Sequence, residues 1–226
     1  MKKTPLRIGL IVPINNTTME GELLAWLPAG AVCRTLRIPR GKGTLTPADI
    51  PDYAARTVAM AAEFGGDSVD LVVYGCTAAG ILAGPREDAA IAAQLSAIAG
   101  TPAVTTASSM VETLRHAGAR NIALVTPYSE EVNKRLTALL EGAGIAVRKL
   151  SSFGVASVDE LGAIGAAAVA QRARETMDDE CDALFIACSQ LPTHAVVDQL
   201  TAEFGRPVWS SIKATAWQAR RALQIT

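Results

Sequence analysis

The sequence predicts an α/β protein with two pseudo-symmetric lobes, each a parallel sheet flanked by helices. Apolar runs of strand length alternate with longer helical patterns, which is typical of βα units. Several of these runs are apolar nearly throughout, as expected for strands that helices cover on both faces. The second half of the chain then repeats the pattern of the first. With 226 residues, half of them apolar, the chain is long enough to bury a substantial core.

The first predicted strand, residues 6–12, lies between Pro5 and Pro13 and precedes a polar turn. The elements that follow it are short apolar runs separated by helical patterns and turn residues. In order, they are a helix at 18–27, a strand at 32–38, a loop with glycine and proline at 39–47, a helix at 48–64 and a strand at 70–75. This last strand ends at Cys76, and an Ala- and Gly-rich segment continues to residue 99.

After residue 99 the same alternation starts again. The predicted strands of this part are residues 102–105, 121–126, 147–151, 182–187 and 207–210. The predicted helices are residues 108–117, 129–140, 158–177 and 212–223. The last strong apolar strand, 182–187, ends at Cys188, so both halves carry a cysteine directly after a buried strand.

Two pairs of segments carry the internal duplication. The first pair, a strand, a proline-containing turn and an amphipathic helix, is IGLIVPINNTTMEGELL and IALVTPYSEEVNKRLTALL. The second pair, an aspartate, an apolar strand, a cysteine and a hydroxyl residue, is DLVVYGCTAAGIL and DALFIACSQLPTHAV. The repeat predicts a first lobe at residues 1–110, which carries Cys76, and a second at 111–226, which carries Cys188. The C-terminal helix is free to return to the first lobe.

Charge and composition exclude several classes of partner. Lys and Arg number 21 against 22 Asp and Glu, so no long-range field attracts nucleic acid or an anionic membrane. Only 4% of the residues are aromatic, too few for the stacking platforms of single-strand nucleic-acid binding. The apolar run near the N-terminus is too short for a secretory signal or a membrane span. We therefore expect a cytoplasmic protein, a homodimer or homotetramer, that acts on a small molecule.

The cysteines are the most informative candidate residues. Four are present without a C-x-x-C pair, which predicts free thiols rather than a disulfide scaffold or a metal site. Cys33 and Cys181 do not follow strands, and we expect structural roles for them. Cys76 and Cys188 fall at the carboxyl ends of parallel strands, where ligands bind in such sheets. A helix start at each position is expected to lower the thiol pKa and to favour a reactive thiolate.

Hydroxyl and amide side chains accompany both cysteines. Thr77 and Ser189 follow them and could cap the next helix or donate to a substrate carboxylate. Asn15 and Asn16 end the first strand and could cap the following helix or bind substrate. Tyr128 occupies the equivalent corner of the second half, where it could orient a carboxylate or pack at the lobe interface.

Other kinds of site are poorly supported. His116 lies at a helix end, where a structural role is expected, and His194 could at most tune the second cysteine. No serine nucleophile elbow, phosphate-binding loop or dinucleotide fingerprint is present. The sequence therefore predicts no cofactor and no metal.

The chain resembles the Asp/Glu racemase superfamily along essentially its whole length. Its most similar branches are the maleate cis-trans isomerases and the arylmalonate decarboxylases, and the motifs that carry the resemblance are IVPINNTTMEGE, YGCT, TPYSEEVN, CSQLPT and VWSSIKATAW. In that family the two cysteines act on opposite faces of the substrate. Arylmalonate decarboxylases keep only the second, so the presence of Cys76 favours isomerisation or racemisation.

The resemblance implies conversion of maleate to fumarate without a cofactor. Cys76 would add to the alkene and Cys188 would supply and remove any proton needed opposite. Asn16, or its neighbour Asn15, and Tyr128 would hold the carboxylates. Thr77 and Ser189 would add further donors.

One segment departs from the family pattern and keeps other functions open. Maleate isomerases usually carry a second substrate-binding asparagine in the segment that corresponds to residues 151–160, and SSFGVASVDE has none. The alternatives are a two-thiol racemase of amino acids or hydantoins, an arylmalonate-type decarboxylase, and a non-catalytic two-lobed protein that binds small molecules.

Overall fold

The computed structural model describes residues 5–65 and 69–225. It contains two four-stranded parallel sheets flanked by helices, with strand orders β2-β1-β3-β4 and β6-β5-β7-β8. The strands are β1 (Arg7–Pro13), β2 (Val32–Ile38), β3 (Leu71–Tyr74), β4 (Ala103–Thr105), β5 (Asn121–Thr126), β6 (Ala146–Ser152), β7 (Ala183–Ile186) and β8 (Val208–Ser210). The predicted α/β fold class is confirmed, and the basic start at residues 1–4 lies outside the described residues.

The α-helices connect these strands and cover both faces of each sheet. They are α1 (Met19–Trp26), α2 (Ile50–Met60), α3 (Thr77–Ala83), α4 (Pro85–Ala99), α5 (Thr106–His116), α6 (Glu130–Gly142), α7 (Val158–Gly162), α8 (Ala166–Thr176), α9 (His194–Phe204) and α10 (Ser211–Ala222). Within the described part of the chain, no helix has the length and apolar character needed to cross a membrane.

The two sheets repeat one topology. In each, the first strand of the half pairs in parallel with the second and the third, β1 with β2 and β3, and β5 with β6 and β7. Strands β3 and β7 are fully buried, and β1 and β5 are buried after their first residue, because helices cover both faces. The carboxyl ends of β3 and β7 are therefore equivalent positions, and these ends lead to Cys76 and Cys188.

The C-terminal helix packs against the first sheet. Ile212, Ala216 and Ala219 of α10 share a buried cluster with residues of β1 and β3. The expected boundary at residue 110 falls inside helix α5, and the division of the chain into two lobes there stays a prediction.

Two helical expectations were wrong in detail. The long helix expected at 158–177 is two helices, α7 and α8, and Gly165 stands at the N-cap of the second. The helix expected directly after Cys188 starts only at His194. Pro192 lies in this interval, where its ring favours an extended preceding residue over a helical one.

Candidate active site

A small cavity at the junction of the two sheets is lined by every residue that the sequence singled out as a site residue. These are Cys76, Cys188, Asn15, Asn16, Thr77, Tyr128 and Ser189. The cavity volume is about 60 Å³, which is room for a few water molecules. A small organic acid fits this scale better than a large aromatic one.

Cys76 lies two residues after strand β3 and stands at the N-cap of helix α3, where a helix start was expected. The preceding residue, Gly75, packs closely against Met19 of helix α1. A Cβ atom at this position would lie 2.5 Å from the Met19 sulfur, so a larger residue does not fit. Burial raises the pKa of the Cys76 thiol, and the Ala79 backbone, the Tyr53 hydroxyl and the Arg40 charge oppose that rise. Desolvation therefore outweighs the lowering that the helix start was expected to give.

Cys188 has a different backbone setting. Its φ of +146° lies in a region that side chains rarely adopt, and such strain is typical of functional sites. Its sulfur accepts a 3.4 Å hydrogen bond from the backbone of Gln190. Burial, the largest cause, and the nearby Cys76 charge together raise the pKa of this thiol to about 11, against the lowering by the Gln190 backbone and the Tyr128 hydroxyl. The two sulfurs are thus close enough to interact electrostatically.

Two hydroxyl groups in the cavity wall have no hydrogen-bond partner among the described residues. They are Tyr128 Oη and Thr77 Oγ1, and both side chains are buried. Burial is the largest cause that raises the pKa of the Tyr128 hydroxyl. Charges on the nearby thiols of Cys188 and Cys76 also raise it. A buried hydroxyl without a partner is unfavourable. A bound carboxylate would provide the missing acceptor for both.

The amide of Asn16 is already fully engaged. Its Oδ1 accepts from the backbone N–H groups of Thr18 and Met19 at the start of α1. Its Nδ2 donates to the backbone oxygen and the hydroxyl of Ser189, at 3.2 and 3.1 Å. Asn16 therefore bonds to the start of α1 and joins the two halves of the chain while it lines the cavity.

The neighbouring groups also join the two halves of the chain. Asn15 Nδ2 donates to Gln190 Oε1 at 2.7 Å, which leaves Asn15 Oδ1 without a partner among the described residues. Ser189 Oγ donates to the carbonyl oxygen of Gly75 at 2.7 Å. The residue before Cys76 is thus bonded to the residue after Cys188, so Ser189 holds the two sites together and caps no helix.

A match to a family model adds to this geometry. The model described as arylmalonate decarboxylase matches residues 8–226. The chain belongs to the arylmalonate decarboxylase and maleate isomerase family. Within the Asp/Glu racemase superfamily, this chain is therefore an enzyme of that branch.

Relatives of this family member include proteins named as maleate isomerases. One from Nocardia farcinica is 32% identical, over 97% of this chain and 90% of that protein. Two solved structures have the same fold. A maleate isomerase variant from Pseudomonas putida S16 with maleate has a TM-score of 0.91 at 24% identity, covering 98% of this chain and 93% of that one. A Nocardia farcinica maleate cis-trans isomerase mutant with a covalently bound succinylcysteine intermediate has a TM-score of 0.88 at 28% identity, covering 98% and 94%.

Two residues that the sequence did not point to, Tyr53 and Arg40, lower the pKa of Cys76. Tyr53 is buried in the middle of α2, where its spacing reads only as a core position. Arg40 lies in the glycine- and proline-containing loop at 39–47 and lines the cavity. Neither could be assigned from periodicity, because each reaches Cys76 through the tertiary fold.

A buried carboxylate lies behind Cys76. Asp88 of α4 accepts a hydrogen bond from Thr105 through Oδ2, and its Oδ1 has no partner among the described residues. Burial raises the pKa of Asp88 to about 6, and its charge raises the pKa of Cys76. Asp88 does not line the cavity, so its influence on the thiol is electrostatic.

The remaining cysteines and the histidines lie away from the cavity. Cys33 is in β2 and Cys181 precedes β7. His116 packs against Trp217, and His194 contacts the ring of Trp26 edge-on. Among the described residues, no group of three or more His, Cys, Asp or Glu side chains could hold a metal ion.

Proposed function

We propose that this enzyme converts maleate to fumarate by reversible addition of the Cys76 thiolate, without a cofactor. The observation that carries the proposal is the pair of thiols, Cys76 and Cys188, in the wall of one small cavity. The succinylcysteine intermediate of a Nocardia farcinica relative supports the same chemistry.

The first step forms a bond between Cys76 Sγ and one alkene carbon of maleate. The π electron pair moves to the neighbouring carbon and its carboxylate. The Cys188 thiol, whose raised pKa keeps it protonated at neutral pH, then gives its proton to that carbon. The product is a succinyl adduct on Cys76, in which the central bond is single.

Rotation about this single bond exchanges the cis for the trans arrangement. The Cys188 thiolate removes a proton from the carbon next to the sulfur-bearing one, the electron pair re-forms the double bond, and Cys76 leaves as a thiolate. Fumarate is released and both cysteines return to their starting states. The electron balance closes without an oxidant or a reductant.

The free hydroxyls are suited to the charge that develops during addition. Thr77 Oγ1 and Tyr128 Oη have no partner to give up among the described residues, so they could donate to the enediolate oxygens at little cost in reorganisation. Asn15, Asn16 and Ser189 shape the wall, since most of their polar atoms are already bonded.

Racemisation is the second candidate, because two thiols in one cavity can also exchange an α-proton from opposite faces. In that reaction Cys76 removes a proton and forms no carbon–sulfur bond. A solvent-derived hydrogen at the α-carbon of a chiral acid would distinguish it from isomerisation.

The deciding experiment is a substrate panel followed by proton NMR in deuterated water, with maleate, aspartate, glutamate, a hydantoin and phenylmalonate. We expect fumarate from maleate and no exchange at the α-carbon of the amino acids. Exchange without fumarate would replace the proposal by racemisation, and loss of carbon dioxide from phenylmalonate would replace it by decarboxylation. Binding without any turnover would leave only a ligand-binding role.

A further inference from the structure

Arg40 is the single charged residue among the described residues that line the cavity. The rest of the wall consists of apolar, hydroxyl, thiol and amide side chains together with prolines. A dicarboxylate carries two negative charges, and the two free hydroxyls are neutral donors. One cation at this position therefore sets the charge preference of the cavity.

The loop that carries Arg40 is fixed across the junction of the two sheets. The Arg40 guanidinium donates to the carbonyl oxygen of Gly43, and Gly43 forms an antiparallel bridge with Ser157. The backbone N–H of Val158 donates to the oxygen of Lys42 at 3.0 Å. Arg40 is thus held at the cavity by contacts with the segment of the second half that covers the same cavity.

The charge of Arg40 acts on the Asp49 carboxylate only at a distance, without an ion pair among the described residues. Among the described residues, no carboxylate lies within ion-pair distance of it, and its Nε is buried without a hydrogen-bond partner. The nearby Asp49 accepts from Thr46 through its carboxylate, and Arg56 pairs with Asp52 at 2.7 Å. A buried N–H group of a cation without an acceptor is unfavourable, and a carboxylate would supply that acceptor.

We propose that Arg40 binds one carboxylate of the substrate and makes this enzyme select dicarboxylates over their monoanionic analogues. The proposal rests on the proposed function and adds a specificity residue to it. Thr77 and Tyr128 would hold the other carboxylate. The facing segment, residues 151–160, contributes the apolar Val155 and Val158 to the cavity and no asparagine, so the charged donor comes from the first half of the chain instead.

The first test compares kcat/KM for maleate and for its monoamide, maleamate, in the wild type and in neutral variants. Arg40→Gln and Arg40→Met should each lower the maleate-to-maleamate ratio by at least about tenfold, the effect of losing a hydrogen bond to a charged group. Arg40→Lys should restore part of the ratio. Two neutral variants are used so that either one suffices if the other does not fold.

The matched control is Lys42→Met. Lys42 lies in the same loop and carries the same charge, but its side chain is 85% exposed and pairs with Asp159 outside the cavity. This substitution should leave the ratio unchanged. An unchanged ratio in both Arg40→Gln and Arg40→Met, or an equal fall in Lys42→Met, would overturn the proposal.

A second measurement separates this proposal from the proposed function. Alkylation of Cys76 by iodoacetate and by iodoacetamide, followed by mass spectrometry, compares an anionic with a neutral reagent at the same sulfur. The ratio of the iodoacetate rate to the iodoacetamide rate does not depend on the reactivity of the thiol, because both reagents attack the same sulfur. The neutral Arg40 variants should lower this ratio, and Lys42→Met should not. A fall in this ratio without any fumarate from the wild type would retain the carboxylate site and reject the isomerase. Fumarate formation by the wild type, with unchanged ratios in the Arg40 variants, would retain the isomerase and reject the carboxylate site at Arg40.

Discussion

Cys76 and Cys188 occupy equivalent places in two sheets of the same topology, yet their surroundings differ. Cys76 stands at the start of a helix and lies within the influence of Arg40 and Tyr53. Cys188 has a strained backbone, and its helix begins only at His194. Strand order thus places the two thiols, while the loops and helices around them decide which sulfur can more readily carry a negative charge.

This difference indicates separate roles for the two sulfurs. Arg40 stabilises a negative charge on Cys76, which suits a nucleophile. Burial and the nearby Cys76 charge raise the pKa of Cys188 to about 11, which suits a proton donor. The five predictions that follow test this assignment in order of decreasing effect on turnover.

The largest effect is expected for Cys76→Ser. A serine hydroxyl at this position is far less nucleophilic than a thiolate, so fumarate formation should fall by at least about a thousandfold. Turnover is measured by NMR with maleate. Cys33→Ser is the control because Cys33 lies in β2 away from the cavity, and comparable loss in that variant would show that the effect is not specific to the site.

Cys188→Ser should lower turnover less, by about a hundredfold to a thousandfold, because it removes a general acid and keeps the nucleophile. Intact-protein mass spectrometry after incubation with maleate should still find an adduct on Cys76 in this variant and none in Cys76→Ser. If the adduct appears on Cys188 when Cys76 is replaced, the two roles are reversed.

Tyr128→Phe should lower kcat/KM for maleate by about a hundredfold, since it removes an unpartnered donor from the cavity wall. Tyr53→Phe should lower it by less than about tenfold, because Tyr53 acts only through the pKa of Cys76. Steady-state kinetics on both variants gives the comparison. Equal losses would mean that the Tyr128 hydroxyl does not contact the substrate.

The pH dependence of kcat/KM tests the ionisation of the nucleophile. Burial raises the pKa of Cys76 above its ordinary value, so at neutral pH the reactive thiolate is the minor form. The rate constant should therefore rise by about tenfold per unit between about pH 7 and about pH 9. Tyr53→Phe should move the profile to higher pH. A flat wild-type profile would show that thiolate formation does not limit the reaction.

Asp88→Asn should change turnover least and stability most. The raised pKa of Asp88, about 6, means that the proton stabilises the folded state, and this stabilisation is lost as the pH rises through that value. The variant should therefore be more stable than the wild type at neutral pH, by up to about 3 kcal/mol, with no difference near pH 4.

Denaturant unfolding at two pH values measures this difference. Asp159→Asn serves as the exposed control, because the Asp159 side chain is 72% exposed and pairs with Lys42. A destabilised Asp88→Asn variant at neutral pH would mean that the hydrogen bond from Thr105 outweighs the burial of the charge.

Much of the fold was predictable because parallel strands that are covered on both faces are apolar nearly throughout their sequence. Strands β2 and β5 match the expected residues, 32–38 and 121–126, without any shift. The helix expected at 158–177 failed because alanine-rich composition supports a helix on either side of Gly165 and does not register the break. The homo-oligomeric state and the cytoplasmic location stay predictions.

The site residues that belong to the repeated strand segments were predictable from the sequence. Those whose position depends on loops or on helix packing were not. Cys76, Cys188 and Tyr128 end strands or follow them, and parallel topology brings such ends together. Arg40 lies in a loop whose course depends on a bridge to Ser157, more than a hundred residues away in the chain. Tyr53 reaches Cys76 from the middle of a helix, so only the packing of α2 on the sheet shows the contact.

The hydrogen bonds between Asn16, Ser189 and Gly75 bear on any attempt to redesign this enzyme for bulkier acids. Substitutions at these positions would loosen the closure between the two sheets along with the pocket wall. The apolar side chains of Val132, Leu161 and Val155 line the same space without such bonds, and a library of variants built there could widen the pocket while the closure and both sulfurs stay in place.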